Sequence, residues 1–264
     1  MFPRLTSVKT LAMAAGLAGL VVAGHPAEAL AQGEFGSIKG RVVWGGDEAP
    51  TPKVLVKKGN ATKDGEVCAA ESDILSPEVQ VDPETKGVAG ALVYLVNPSA
   101  ENPEAVKELL KNHPKAELDQ VACEFVPHVQ AIHQDQPLTI KSSDPVPHNV
   151  RYTGFTNGSL NQMLAANGEM EVQLQAERRP MMVACDIHPW MTAYIMIFDH
   201  PFFAVTDKDG SFEIKGVPAG KQNLVVWQET AGWINSAKAK GDPVDVKAGE
   251  AADAGSFELK PKKK

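Results

Sequence analysis

The stretch Cys185-Asp186-Ile187-His188-Pro189-Trp190-Met191 places a thiol, an imidazole and a thioether on a short loop between two apolar runs. A thiolate and a thioether suit the softer, reduced state of a copper ion, and imidazole serves both oxidation states. Two histidines and a cysteine with a weak axial methionine therefore make a donor set for one-electron copper chemistry. The set needs a second histidine from elsewhere. His148 supplies it, where an apolar strand from Thr139 runs through Asp144-Pro145-Val146-Pro147 into His148-Asn149. His148, Cys185, His188 and Met191 are the candidate metal ligands, with copper as the expected cofactor. Zinc is the alternative ion on the same residues, although it favours a stronger fourth donor than a thioether.

The cysteine count bears on this assignment. The chain has three cysteines, so in an exported protein at most two can pair with each other. Cys185 has metal-type neighbours and Cys68 and Cys123 have none, which assigns Cys68 and Cys123 to a disulfide and leaves Cys185 as a thiolate. Export is read from the first residues: Arg4 and Lys9, an apolar run over 11–24, and small residues ending Ala29-Leu30-Ala31. Together these form a cleavable leader over 1–31 and imply a periplasmic or secreted protein. An uncleaved leader acting as an anchor is the alternative. No later run is long and apolar enough to span a bilayer. The mature chain carries one more negative charge than the −7 of the whole sequence, which argues against nucleic acid as a partner. The lysines that end the chain are read as a solvated terminus.

The elements that must position the ligands are mostly short strands. Turn residues bound strands expected at 38–44, 91–96, 125–132, 138–141, 149–152, 171–174, 181–184, 193–198, 212–214 and 224–227. One helix is expected over 103–112, opened by Pro103, with Val106, Leu109 and Leu110 on one face and Pro114 beyond its end. The fold class is therefore all-β with one short helix. Near the C-terminus, Asp209-Gly210, a strand through Phe212, Val217-Pro218-Ala219-Gly220 and Leu224-Val225-Val226-Trp227 have the chemistry of successive hairpins. The region 53–83 has many turn residues and reads as a long surface excursion.

Two resemblances follow from these motifs. Phe125-Val126-Pro127, His148-Asn149 and the Cys185, His188, Met191 spacing are similar to the cupredoxin (blue copper) family in its amicyanin-type ligand spacing, over about 80 residues. This likeness implies a Greek-key sandwich, a mononuclear type 1 copper and one-electron transfer with no enzyme activity. It also implies that Asn149 hydrogen-bonds to the Cys185 loop and pins it. His188, beside Pro189 and Trp190, is then expected to be a partly exposed edge where a redox partner protein docks. The strand into Cys185, Arg179 to Ala184, lacks the aromatics common in that family, and His133-Gln134-Asp135-Gln136 stands where a Gly is usual. A binuclear copper centre would need a cysteine where Met181 stands, and catalytic copper proteins usually have a histidine where Asp186 stands. No Cys-x2-Cys-His supports covalent haem, and no catalytic triad, phosphate loop or paired-carboxylate motif is present.

The C-terminal turns and strands resemble the carboxypeptidase regulatory-like (transthyretin-like) β-sandwich, whose opening strands look like Gly36–Trp44 and Gly87–Val96. The expected organisation is a leader at 1–31, the first part of that sandwich at 32–98, a cupredoxin domain at 99–200, and the rest of the sandwich at 201–260. The cupredoxin is thus inserted into the sandwich or adjoins it. His128 is open between a fifth donor or a partner behind the ligands and a place at a strand edge. Two functional alternatives to an electron carrier remain: a periplasmic copper store or sensor, and a carbohydrate- or protein-binding sandwich module.

Overall fold

The structure is a computed structural model that describes residues 34–261; the expected leader at 1–31 lies outside the described residues. Among the described residues the chain is all-β apart from the expected helix, Pro103–Asn112, and a short 3-10 turn. Pro103 fits the first turn because its missing N–H would have no partner there, and Asn102 caps the turn by accepting from the Ala105 N–H at 3.0 Å. Among the described residues no helix is long and apolar enough to cross a membrane.

Two sheets come from the middle of the chain. One has the order Glu169–Val172, Leu138–Ser142, Ala116–Val121, Glu124–Val126. The other has the order Ser159–Leu164, His148–Thr153, Met181–Ala184, Thr192–Phe198, Val129–His133. Their inner faces share one core that includes Leu118, Ile140, Val150, Val183, Ile195 and Ile197. Each such side chain, fully buried, contributes roughly 1.5–3 kcal/mol. Cys185 and Met191 belong to this core, at the end where the strands meet the ligand loop.

Two further sheets draw on both ends of the described chain. Phe35–Trp44 lies between Ser211–Pro218 and Ala251–Leu259, antiparallel to the first and parallel to the second. The other sheet runs Phe203–Val205, Leu92–Leu95, Gly220–Gln228, Gly232–Trp233, with Asp242–Val246 also pairing to Gly220–Gln228. In this sheet Leu224 and Val226 face a core with Ile38, Val42 and Ile214, while Val225 and Trp227 face a second cluster with Val129, Met196 and Phe198. The run 224–227 is therefore apolar throughout because both faces of its strand are covered.

Several expectations are corrected. The strand expected at 125–132 is two, Glu124–Val126 and Val129–His133, in different sheets, with Pro127 between them supplying no ladder N–H. The Asp209-Gly210 and Pro218-Ala219-Gly220 turns do not close hairpins. Phe203–Val205, Ser211–Pro218 and Gly220–Gln228 lie alternately in two sheets, so each turn passes the chain from one sheet to the other. Turn chemistry dictates the reversal but not the pairing. Gly210 is required at its turn: φ is +80°, and a Cβ would lie 2.1 Å from the Val42 carbonyl oxygen. Four strands with many polar residues went unexpected, Ala116–Val121, Ser159–Leu164, Asp242–Val246 and Ala251–Leu259.

The region 53–83 is not a surface excursion. Val56, Cys68, Ala69 and Ile74 enter the core of the two central sheets, and Cys68 is bonded to Cys123 across 55 positions. This strap crosses the end of the sandwich that carries the ligand loop.

Candidate metal centre

The ligand loop is closed by its own backbone. It leaves the strand Met181–Ala184 and re-enters at Thr192–Phe198, with the Cys185 N–H donating to Met191 O at 3.2 Å and the Met191 N–H donating to His188 O at 2.9 Å. This spacing turns Cys185, His188 and Met191 back toward the core. His148 opens the neighbouring strand His148–Thr153, which pairs with Met181–Ala184 at Arg151 and Ala184. Pro145 and Pro147 hold the approach extended and turn-like, so the strand begins at the histidine itself.

His148, Cys185 and His188 are brought together: their donor atoms all lie within 4.8 Å of one another. The two Nδ1 atoms are 2.9 Å apart and Cys185 Sγ is 3.8 Å from His188 Nδ1. Each imidazole is held from behind by a carboxylate. His148 Nε2–H donates to Asp144 Oδ2 at 2.8 Å, and His188 Nε2–H donates to Asp64 Oδ2 at 2.9 Å. A ring that donates through Nε2 keeps the Nδ1 lone pair for a metal, and a carboxylate behind it raises its basicity. Met191 lies on the same loop, 1% exposed.

Protons occupy part of this set in the metal-free chain. Burial alone pulls the His148 imidazole down, but the Asp144 carboxylate and the Cys185 sulfur outweigh it and bring it up to about 9. Burial opposes the Cys185 thiolate, while His148 and the peptide N–H groups of Asn149, His188 and Ile187 favour it more strongly and lower the thiol. Burial and the charge of His148 lower His188, against the opposing pull of Asp64. The consistent state has His148 as the cation, donating through Nδ1 to His188. His148 and His188 would hold a metal ion through the Nδ1 atoms that now share this proton, which such an ion would displace.

The strand carrying His148 also fixes the loop. The Asn149 N–H donates to Cys185 Sγ at 3.5 Å, its Oδ1 accepts from the Asp186 N–H, and its Nδ2 donates to Asn161 Oδ1 at 2.6 Å. Asp186, bound to Arg151 at 2.7 Å, completes this clamp. On the other side the Trp190 Nε1–H donates to Cys123 O at 3.0 Å, with its ring 5.2 Å from the His188 ring.

One expectation fails here and one alternative left open is decided. His188 is not a partly exposed edge. Its side chain is fully buried, because the strap lays Asp64 on its outer nitrogen and Trp190 packs beside it. His128 is not brought to the ligands. It donates through Nδ1 to Thr192 O at 2.8 Å and meets Glu229 Oε1 at 2.5 Å, at the seam between the central sheets and the sheet of Gly220–Gln228. Asp144 and Asp64, which hold the two imidazoles, were not singled out in the sequence. Asp144 had a local signal, four positions before His148 in the proline-containing bend that leads into its strand. Asp64, in a region without strand periodicity, had none.

No family model matches the chain, and no curated protein matches it. Among solved structures it is similar to a copper(I) form of an amicyanin variant, at 14% identity over 33% of this chain and 84% of that one, with a TM-score of 0.29. It is also similar to amicyanin from Paracoccus versutus, at 12% identity over 32% and 81%, TM-score 0.28. A purple cupredoxin from Nitrosopumilus maritimus is matched over its full length and 32% of this chain, at 19% identity and a TM-score of 0.27. The chain belongs in the all-β sandwich class by its own sheets.

Proposed function

We propose that this is an exported protein holding a single type 1 copper and transferring one electron at a time, with His148, Cys185 and His188 as its principal ligands and Met191 as the weak axial donor. The observation that carries this reading is the convergence of two Nδ1 atoms and Sγ in a buried place, with Asp144 and Asp64 fixing both rings. The donors fit the ion: two imidazoles, one thiol already lowered toward thiolate, and a thioether on the same loop. When bound, copper would supply the one-electron couple.

The chain's own residues hold the place for it. Asp144 and Asp64 orient the imidazoles and balance the added charge. The Asn149 N–H to Sγ contact and the Asn149 to Asp186 clamp restrain the thiolate, so that little moves with a change of charge. Met181 and Asp186 stand where a binuclear or catalytic copper centre would need Cys and His. The redox partner is proposed to be a protein, and the sheets built from both chain ends are proposed as a transthyretin-like carrier into which the cupredoxin sandwich of 99–200 is inserted.

Full burial of His188 favours a second reading, a copper store from which the ion leaves slowly. Addition of Cu(II) to the metal-free chain tests the first step. An intense thiolate-to-copper visible band that disappears in Cys185→Ala is expected, and its absence, or its survival in that variant, removes the proposal. Electron self-exchange separates the two readings: fast exchange marks a carrier, and slow exchange with tight Cu(I) retention marks a store.

A further inference from the structure

The Cys68–Cys123 bridge lies against the two histidines. The Cys123 N–H donates at 2.8 Å to Asp144 Oδ2, the oxygen that also accepts from His148. The Cys68 N–H donates at 2.8 Å to the peptide oxygen of Asp64, whose carboxylate holds His188. Both sulfur-bearing residues are fully buried. The two Sγ atoms, joined in the disulfide, and a ring nitrogen of His188 lie within 4.8 Å of one another, so opening the bond would leave a second donor group that shares His188 with the group of His148 and Cys185.

We propose that Cys68 and Cys123, once a dithiol reductant opens their bond, form with His188 a second soft-metal site that takes Cu(I). Two thiolates and one imidazole in a buried setting suit a soft ion such as Cu(I). Sharing of His188 allows an ion to pass between the two donor groups by exchanging sulfur ligands around one imidazole. In the opening step the Cys68–Cys123 S–S bond breaks and an S–S bond forms in the reductant. Two electrons and two protons arrive on the two sulfurs. Binding of Cu(I) then displaces thiol protons to solvent, and the ion keeps its oxidation state. The proposal rests on His188 as a metal-facing imidazole and not on Cys185.

The test uses the full chain carrying Cys185→Ala, which removes the thiolate of the first group. The metal-free protein is titrated anaerobically with Cu(I) against a chromogenic Cu(I) chelator, before and after treatment with dithiothreitol and its removal. The expected result is no Cu(I) held against the chelator by the unreduced chain and one ion per chain after reduction. Near-UV circular dichroism should be kept, and X-ray absorption should show two sulfur neighbours and a nitrogen. Adding His188→Gln should weaken that binding about tenfold or more. Equal binding before and after reduction, no effect of His188→Gln, or loss of the near-UV signal on reduction overturns the proposal. The visible band with Cu(II) is read on the unreduced chain with Cys185 intact, so failure there and failure here are separate results.

Discussion

Asp64 Oδ2 accepts a 2.9 Å hydrogen bond from Nε2 of His188, 124 positions further along the chain. This contact seals the imidazole from solvent and aims its other nitrogen at His148 and Cys185. Carboxylates behind metal-facing histidines affect affinity by about 10- to 100-fold. Asp64→Ala is therefore expected to weaken copper binding by about that factor and to speed copper loss. Asp64→Asn, whose amide oxygen can still accept, should recover part of it. Competition with a copper chelator measures both, and affinities equal to the unaltered chain's would show that the strap has no bearing on the site.

Asn149 is 3% exposed and joins the His148 strand to the ligand loop through Asp186 and Asn161. Asn149→Ala removes the side-chain hydrogen bonds to Asp186 and Asn161, both exposed residues, at a cost of about 0.5–1.5 kcal/mol per bond. Urea unfolding should show that loss. The visible band of the copper-loaded chain should shift as well, because the Sγ contact from the residue 149 N–H loosens. An unshifted band would confine Asn149 to a stability role.

Glu177 closes the 155–157 turn by accepting from the N–H groups of Phe155, Thr156 and Asn157 and from Asn157 Nδ2. Burial pushes its carboxyl up, but these donors outweigh burial and hold it below its ordinary 4.5. A carboxyl depressed in the folded state stabilises fully above its unfolded value. That contribution shrinks as pH falls below 4.5 and is gone once pH passes the folded value. Glu177→Gln should therefore be less stable than the unaltered chain at neutral pH and lose less on acidification, measured as urea midpoints across this window. Parallel profiles for the two proteins would contradict the assignment.

The Cys68–Cys123 bridge closes a loop over 55 positions. On the chain-entropy account its removal costs about 4 kcal/mol. Cys68→Ser with Cys123→Ser should lower the urea midpoint accordingly while leaving the Cu(II)-thiolate band in place, because Cys185 is untouched. Loss of the band in this double variant would mean that the strap must be tethered for the donor atoms to converge.

Glu229 meets His128 at 2.5 Å across the seam between the central sheets and the sheet of Gly220–Gln228. Glu229→Ala is expected to lower stability by about 1–3 kcal/mol and to leave the visible band unchanged, which a thermal melt and a spectrum together would check. A changed band would return His128 to the neighbourhood of the metal.

The local features of this protein were legible in the sequence because short-range chemistry dictates them. Proline and turn residues bounded the helix Pro103–Asn112 and most core strands. The three-residue spacings placed Cys185, His188 and Met191 on one loop, and the odd cysteine count together with its metal-type neighbours singled out Cys185, which the structure leaves free beside a Cys68–Cys123 bridge. Strands such as Ala116–Val121 and Ser159–Leu164 escaped because burial in them does not follow polarity, with Gln120 buried and Val121 exposed in the first and Met163 exposed in the second, so neighbours and not their own periodicity set their ladders.

What lies behind the candidate ligands was decided only by tertiary structure. Asp64 and His188 share no local pattern, and the strap reaches the ligand loop because Cys68 and its apolar neighbours find the central core. The Asp209-Gly210 turn could reverse the chain, yet which sheet received Ser211–Pro218 depended on Phe35–Trp44 at the far end of the described chain. The sequence by itself determined which residue types could hold a thiophilic ion. Long-range packing decided that His188 would be buried under a carboxylate, because burial is a property of what covers a residue and not of the residue.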